Sequence, residues 1–389
     1  MKNYKGESLF LVQLFVLVFF NTFQRSQFDV LKDIGLLSIY LTLFIMFLFL
    51  IRSFIYHKAG LNNLKMIYIA ISLLIFINTI SFVFTKNVNT TYFIQVIFLF
   101  LFILGSIRIK WDIQSVKLFG YVTSVFFLFI WIHGYVLDFP NRFVSIYNNP
   151  NYLGVLLFCM LYFQIVSWKY SHTIMEKIYF SIVILANLFL IYMTNSRSVL
   201  LAILIVIIVW FILRHTKKVY SYLFYAILLI NFAFLFTYTK LKGTELGNSL
   251  NELSLEYTNK NLFSGRSEIW EQLFIKISEK PIWGHGMGIR ASDIISIPLT
   301  AHNQYLQIVI EVGFIGLVIF LFLLYTVWKL LLKNRDNDVA KLSAAFFIAI
   351  LAYENLELTL FQNNYSIAIL QWLIITIGIS FNENVNEKS

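Results

Sequence analysis

The chain has 389 residues, of which 59% are hydrophobic and only 13% are charged. Soluble globular proteins carry roughly a quarter charged residues, and 41 Phe with 22 Tyr exceed what one soluble core can bury. This composition argues against a soluble protein. Basic residues cluster in the cytoplasmic loops of membrane proteins, which explains the net charge of +10 better than nucleic-acid binding does. The single cysteine, Cys159, excludes an internal disulfide and a cysteine-rich metal site.

About twelve apolar stretches are long enough to cross a bilayer core as helices. Because open backbone groups find no partners in lipid and these stretches lack the alternation of barrel strands, we predict an all-α, polytopic membrane protein with 1–389 as a single membrane domain. No small-residue cleavage site follows the first stretch, so we expect it to remain as a helix. In chain order, the predicted spans are 8–24, 34–51, 65–84, 91–107, 118–136, 151–168, 178–194, 199–213, 219–239, 303–331, 342–360 and 365–381.

The basic residues are distributed unevenly between the two sets of connections. One set, which includes both termini, holds 18 of the 30, and the other short connections hold five. Because basic loops remain in the cytoplasm, we expect both termini there and the protein in the cytoplasmic (inner) membrane. The five are Arg25, Lys32, Lys86, Arg142 and Arg197.

The one long connection, 240–302, then lies outside the cytoplasm. Within it, 266–279 is predicted to be an amphipathic helix, because its apolar residues recur at spacings of three and four. We expect this helix to lie on the membrane surface or to cover a cavity. Its apolar residues are Ile269, Trp270, Leu273, Phe274 and Ile277, and Pro281 with Gly284, Gly286 and Gly288 follows them.

Four arginines, Arg142, Arg197, Arg266 and Arg290, fall on the outward side, which is otherwise poor in basic residues. Guanidinium groups bind phosphate through two parallel hydrogen bonds and stay charged. The alternative for each is interfacial snorkelling or an ion pair with a nearby carboxylate. We expect at least two of the four to converge on an anion.

Two outward histidines are candidates for chemistry. His302 lies at the start of the tenth span, where a neutral imidazole can accept a proton from an attacking hydroxyl; the alternative is a polar helix cap. His285, between two glycines, is a candidate phosphate ligand or turn cap. The histidine spacings do not fit a metal site, so we predict none.

Four acidic residues complete the candidate set. Glu311 lies nine residues beyond His302, on the opposite side of the helix, and is expected to be structural although carboxylates within membranes are usually functional. Glu354 and Glu357, three apart near the end of the eleventh span, are expected to share a face and to be able to pair with an outward arginine. Glu268 is an alternative base or arginine partner.

One segment resembles the signature of the O-antigen ligase and polymerase superfamily. It is His302-Asn303, nine residues, and then Gly313-Phe314-Ile315-Gly316. Three further segments fit the same family in the same order. The first is Asn148-Asn149-Pro150-Asn151 with Gly154, and the second is Thr194-Asn195-Ser196-Arg197. The third begins with Ser264-Gly265-Arg266, continues through Ile269-Trp270 to Pro281, and ends with Gly284-His285-Gly286-Met287-Gly288.

The resemblance implies a membrane-embedded, GT-C-like glycosyltransferase that uses a glycan linked to undecaprenyl diphosphate, without a nucleotide sugar, metal or other cofactor. The family's histidine corresponds to His302, and its arginines to Arg197 and Arg266, with Arg142 a looser match. His302 is therefore expected to be the base of an inverting transfer and the arginines to hold the diphosphate. His285, Arg290 and Asn303 are expected to support binding of the diphosphate or glycan.

The sequence is compatible with three functions. The first is a polymerase that extends a capsule, exopolysaccharide or O-antigen chain; the Asn-, Lys-, Ile- and Phe-rich composition, typical of AT-rich genomes that can lack an outer membrane, favours it. The second is a ligase that transfers the finished glycan to lipid A core or another acceptor. The third, a lipid-linked glycan flippase, is disfavoured because the charges collect at the outward ends. The expected partners are the lipid-linked glycan and membrane lipid, together with a chain-length regulator and a flippase, but no nucleic acid.

Overall fold

The computed structural model describes residues 2–56, 61–84, 89–258, 260–263, 265–361 and 364–381. Over these ranges the chain forms fifteen α-helices, numbered in chain order. They are α1 (Lys2–Asn21), α2 (Asp29–Tyr56), α3 (Leu61–Phe84), α4 (Thr90–Arg108), α5 (Ile113–Val136), α6 (Pro150–Lys169), α7 (Ile174–Thr194), α8 (Arg197–His215), α9 (Tyr220–Leu241), α10 (Glu245–Thr258), α11 (Arg266–Glu279), α12 (Ala291–Ile294), α13 (Gln304–Lys333), α14 (Asp338–Tyr353) and α15 (Tyr365–Ser380).

Each of the twelve predicted spans coincides with a helix, so the all-α, polytopic membrane fold is confirmed. Within the described ranges, nine helices are long and apolar enough to cross a membrane: α2 to α9 and α13. The other three predicted spans overlap α1, α14 and α15, of which α14 and α15 are shorter, with 16 residues each.

The predicted eleventh span, 342–360, is wrong in its second half. Helix α14 ends at Tyr353, and the chain then turns back because the Glu354 carboxylate accepts hydrogen bonds from the backbone N–H groups of Thr359 (3.0 Å) and Leu360 (3.3 Å). Glu354 and Glu357 therefore do not share a helix face. Glu354 is buried in the core, whereas Glu357 lies at the end of the bundle.

The segment 240–302 contains more helix than the sequence predicted. Helix α11 covers the range 266–279, and α10 and the short α12 accompany it. Helix α11 packs on α9 and α13 through Trp270 and its apolar neighbours, which are buried. It therefore forms part of the folded bundle.

Three helices form the centre of the bundle. Nearly every residue of α6, α14 and α15 is buried. Helices α5 and α7 pack on α6, α8 packs on α14, and α4 packs on α15. The outer helices leave many large apolar side chains exposed, as expected of surfaces that face lipid.

Helix α13 is broken at Gly313, the first glycine of the signature segment. Gly313 has φ 69° and ψ −171°, a combination that essentially only glycine adopts. The break accepts the loop that follows α11, because Phe314 N–H donates to Pro281 (2.8 Å) and His285 N–H donates to the Ile310 carbonyl (2.6 Å). A Cβ on Gly313 would lie 2.0 Å from the Ile282 carbonyl oxygen. The glycine that follows His302 in the signature segment therefore allows this loop to pack directly against the break in α13.

Candidate functional site

Several helices begin at the same end of the bundle. Arg197 is the first residue of α8, Arg266 is the first of α11, and His302 lies two residues before α13. The connection between α14 and α15 reaches the same place and supplies Glu357. Helix N-termini carry unpaired N–H groups and a partial positive charge, so this end of the bundle favours anions.

Glu357 is the centre of the contacts. Its Oε2 lies 3.3 Å from Nδ1 of His302. Its Oε1 accepts from Nη2 of Arg266 (3.3 Å) and from Nδ2 of Asn151 (3.2 Å). The carboxylate thus joins side chains from three separate parts of the chain, and it is only 15% exposed.

His302 is held by its neighbours in a fixed position. Its φ of 46° is a left-handed conformation that persists only when the surroundings impose it. Trp270 Nε1 donates to the Ala301 carbonyl (2.8 Å), and Gln304 N–H donates to the Glu354 carbonyl (2.8 Å). The imidazole remains 30% exposed, so a substrate can reach it.

Asn303 supports this position from the core. Its Oδ1 caps α13 by accepting from Leu306 N–H (2.9 Å), and its Nδ2 donates to Oδ1 (3.0 Å) and to the carbonyl (3.2 Å) of Asn355. Asn355 in turn donates to the Asn231 carbonyl (3.2 Å). Asn303 thus ties the start of α13 to the connection that carries Glu357. Because Asn303 is fully buried, it is not placed to touch a substrate.

Arg266 is anchored on the other side of Glu357. Its Nη2 also donates to the Leu356 carbonyl (3.0 Å). The turn that precedes α11 is held by the Tyr238 hydroxyl, which donates to the carbonyls of Leu262 (3.0 Å) and Phe263 (2.6 Å). Ser264, part of the resembling segment, lies outside the described residues.

Three further cations lie at this end of the bundle: Arg142, Arg197 and Lys260. Arg197 donates to Ser254 Oγ (2.9 Å) and the Asn261 carbonyl (3.0 Å), and Lys260 donates to the carbonyl (2.6 Å) and Oδ1 (3.1 Å) of Asn195. Asn195 Nδ2 in turn donates to Oδ1 of Asn141 (3.2 Å), so these contacts join the segments that carry the three cations. The pKa of Lys260 is lowered, first by burial and then by repulsion from Arg142 and Arg197. We call Arg142, Arg197, Lys260 and Arg266 the cationic cluster.

The other candidates lie elsewhere. Nε2 of His285 contacts the Lys276 carbonyl (2.7 Å) and holds the glycine-rich turn. Glu268 pairs with Lys242, which lowers its pKa, and Glu354 hydrogen bonds with Thr359 and Gln371 in the core. Two others, Glu311 and Arg290, line a separate cavity.

Lys260, Asn355 and the role of Asn151 were not predicted. Asn151 belongs to a segment that resembles the family, and its position at the start of α6 could have indicated a place in the site. Lys260 and Asn355 have no pattern of their own. They join the site through long-range contacts, to Asn195 and to Asn303.

Comparison with known proteins identifies a family for part of the chain. Residues 180–321 match the O-antigen ligase family. The predicted resemblance is confirmed over this segment, which contains Arg197, Lys260, Arg266 and His302. Glu357 lies outside it.

Two relatives resemble a short part of the chain. A Rickettsia conorii protein named as a candidate polysaccharide ligase is 37% identical over 94 residues, and a Rickettsia felis protein of similar name is 33% identical over 94 residues. Each match covers 21% of this chain and 23% of the relative. The chain thus aligns with less than a quarter of the length of either relative.

Proposed function

We propose that this protein is a glycosyltransferase of the polysaccharide ligase and polymerase type, which transfers a glycan from polyprenyl diphosphate to an acceptor sugar. The observation that carries the proposal is the contact of one carboxylate, Glu357, with both His302 and Arg266. The match of residues 180–321 to the O-antigen ligase family supports the same class of reaction.

In the proposed mechanism, His302 is the base. Its Nδ1–H donates to Glu357, which orients the ring and stabilises the imidazolium that forms. Nε2 accepts the proton of the acceptor hydroxyl as the hydroxyl oxygen attacks the anomeric carbon. The bond from that carbon to the diphosphate breaks, its electron pair leaves with the diphosphate, and attack from the opposite side inverts the anomeric centre.

The cationic cluster holds the diphosphate in this proposal. Arg266 contacts Glu357, and Arg197, Lys260 and Arg266 are partly buried, where charge–charge attraction is stronger than in water. The same residues stabilise the negative charge that the departing diphosphate gains. The polyprenyl tail then lies against the exposed apolar faces of the outer helices.

We propose that the site faces outward from the cytoplasmic membrane, with both termini in the cytoplasm. The uneven distribution of basic residues supports this orientation. The donor is then undecaprenyl diphosphate carrying a glycan repeat unit, delivered by a flippase, and a chain-length regulator is a further proposed partner.

Of the two transfer reactions, we propose polymerisation as the activity, because the composition is that of an AT-rich genome. The names of the Rickettsia relatives favour the alternative, ligation of a finished glycan to a separate acceptor. Both reactions use the same base and the same diphosphate site, so they differ only in the acceptor.

Reconstitution in vesicles with a synthetic polyprenyl-diphosphate repeat unit tests the proposal. A ladder of glycans from the wild type supports polymerisation, and transfer only to an added lipid A core acceptor supports ligation. We expect Arg197→Ala with Arg266→Ala to abolish both donor binding and transfer. Arg214→Ala, at the opposite end of α8 from Arg197, is the matched control. Wild-type donor binding by the double variant would contradict the diphosphate role.

A further inference from the structure

A cavity of about 240 Å³ lies beside the site. Its walls come from the segment before α2, the start of α4, the turn after the glycine-rich loop, the first turns of α13 and the start of α15. None of these supplies the cationic cluster. Polar side chains in the lining include Arg25, Tyr92, Arg290, Gln307, Glu311 and Tyr365.

Two buried groups line this cavity in an unusual way. Glu311 is 2% exposed, and its Oε1 accepts from the Tyr92 hydroxyl (3.0 Å) and from Gln307 Nε2 (2.6 Å). Tyr365 is 4% exposed, and its hydroxyl has no hydrogen-bond partner within the described part of the chain. A buried hydroxyl without a partner costs free energy, which a ligand in the cavity would recover.

The cavity adjoins the proposed catalytic pair. Thr300 and Leu358 line it, and they are two residues from His302 and one from Glu357. Consecutive Cα atoms are about 3.8 Å apart, so both walls lie within one side chain's reach of the pair.

We infer that this cavity binds the sugar residue that carries the attacking hydroxyl. The inference rests on the proposed function. Planar amides, hydroxyls, guanidiniums and one carboxylate offer both donors and acceptors, which suits a ring bearing several hydroxyls. Small-molecule pockets span roughly 300–1,000 Å³, so the smaller volume fits one sugar ring. Two arginines, Arg25 and Arg290, line the cavity beside Glu311, so a phosphate group is the competing ligand that the test has to distinguish.

The test uses the full chain in lipid nanodiscs and two probes. The first probe is the repeat oligosaccharide released, without lipid or diphosphate, from the polysaccharide of the cells that make the protein. The second is inorganic pyrophosphate. Calorimetry measures both affinities for the wild type, Tyr365→Phe and Glu311→Gln. Tyr135→Phe, an exposed tyrosine outside the cavity, is the matched control.

We expect Tyr365→Phe to weaken oligosaccharide binding about three- to tenfold and Glu311→Gln about tenfold or more, with pyrophosphate affinity unchanged in both. The control should bind both probes as the wild type does. If Glu311→Gln does not fold, Tyr365→Phe decides, because the Tyr365 hydroxyl has no hydrogen-bond partner to lose among the described residues. This pattern supports the inference even if the wild type shows no transfer in vesicles, an outcome that would overturn only the proposed function.

Three results would overturn the inference. The first is wild-type oligosaccharide affinity in Tyr365→Phe, and the second is no oligosaccharide binding by the wild type itself. The third is weakened pyrophosphate binding in either cavity variant, which would assign the cavity to a phosphate group. Each result can occur while the wild type still transfers glycan, so the two proposals fail separately.

Discussion

Nδ1 of His302 and Oε2 of Glu357 lie 3.3 Å apart across 55 residues of chain. The other oxygen of the same carboxylate accepts from Arg266. A charge change at Glu357 therefore affects both the proposed base and the proposed diphosphate ligand. The structure places the histidine, the carboxylate and the arginine on different helix ends, so the site exists only in the folded bundle.

Glu357→Gln tests this connection. The substitution keeps the size of the side chain but removes the charge that orients His302 and stabilises its imidazolium. We expect kcat to fall about 100-fold or more in the vesicle assay. Glu271→Gln, an exposed change on α11, is the control and should keep wild-type kcat. Unchanged kcat in Glu357→Gln would show that the carboxylate has no part in transfer.

Gly313→Ala tests the break in α13. The new Cβ would lie 2.0 Å from the Ile282 carbonyl oxygen at a φ of 69°, so the loop after α11 must move. We expect a loss of about 3 kcal/mol or more of unfolding free energy, measured by chemical denaturation in detergent. Gly243→Ala also has positive φ but nothing within 4 Å, and should lose only about 1 kcal/mol. Equal losses would mean that the loop does not need this glycine.

Lys260→Arg tests the cationic cluster through pH. The pKa of Lys260 is lowered by burial and by Arg142 and Arg197, so it loses its charge at a lower pH than an ordinary lysine. Arginine stays charged throughout. As pH rises above neutrality, we expect the wild type to lose pyrophosphate affinity relative to Lys260→Arg. The ligand's own ionisation is the same for both proteins and cancels in the ratio.

The control for this experiment is Lys280→Arg, a surface change after α11, which should show the wild-type pH dependence. An affinity ratio between wild type and Lys260→Arg that stays constant with pH would mean that Lys260 does not act on the anion.

Asn303→Asp tests the buried support of the site. The aspartate can still cap α13, but it cannot donate to Asn355 and instead buries a charge beside two acceptor oxygens. We expect about 2–4 kcal/mol of destabilisation in thermal or chemical unfolding. Asn248→Asp, an exposed change on α10, is the control. If Asn303→Asp folds with wild-type stability, the proposed anchoring is wrong.

Much of the fold could be predicted from the sequence because apolar length alone specifies a membrane helix. The failure at 354–360 has a local cause. Leu356, Leu358 and Leu360 extend the apolar pattern beyond Tyr353, and only the folded core shows that the backbone of Thr359 and Leu360 turns back to the Glu354 carboxylate. The apolar content of this segment does not predict the reversal of the chain.

The site was predictable only in part. His302, Arg197 and Arg266 stood out because polar groups are rare on that side and because they match a family signature. Glu357 was expected to be able to pair with an outward arginine, but its contacts with Arg266 and His302 were not predicted and Lys260 was missed, because these contacts join distant segments. The prediction that Glu354 shares a face with Glu357 failed because α14 ends at Tyr353, before both residues.

The most direct test of the account is the transfer rate of His302→Ala in vesicles, measured with the lipid-linked repeat unit alongside pyrophosphate affinity. The account predicts a fall in transfer of about 100- to 10,000-fold with pyrophosphate affinity close to wild type. His172→Ala, in the exposed turn before α7, is the control and should transfer normally. Wild-type transfer by a folded His302→Ala protein would contradict the central claim that this histidine is the base.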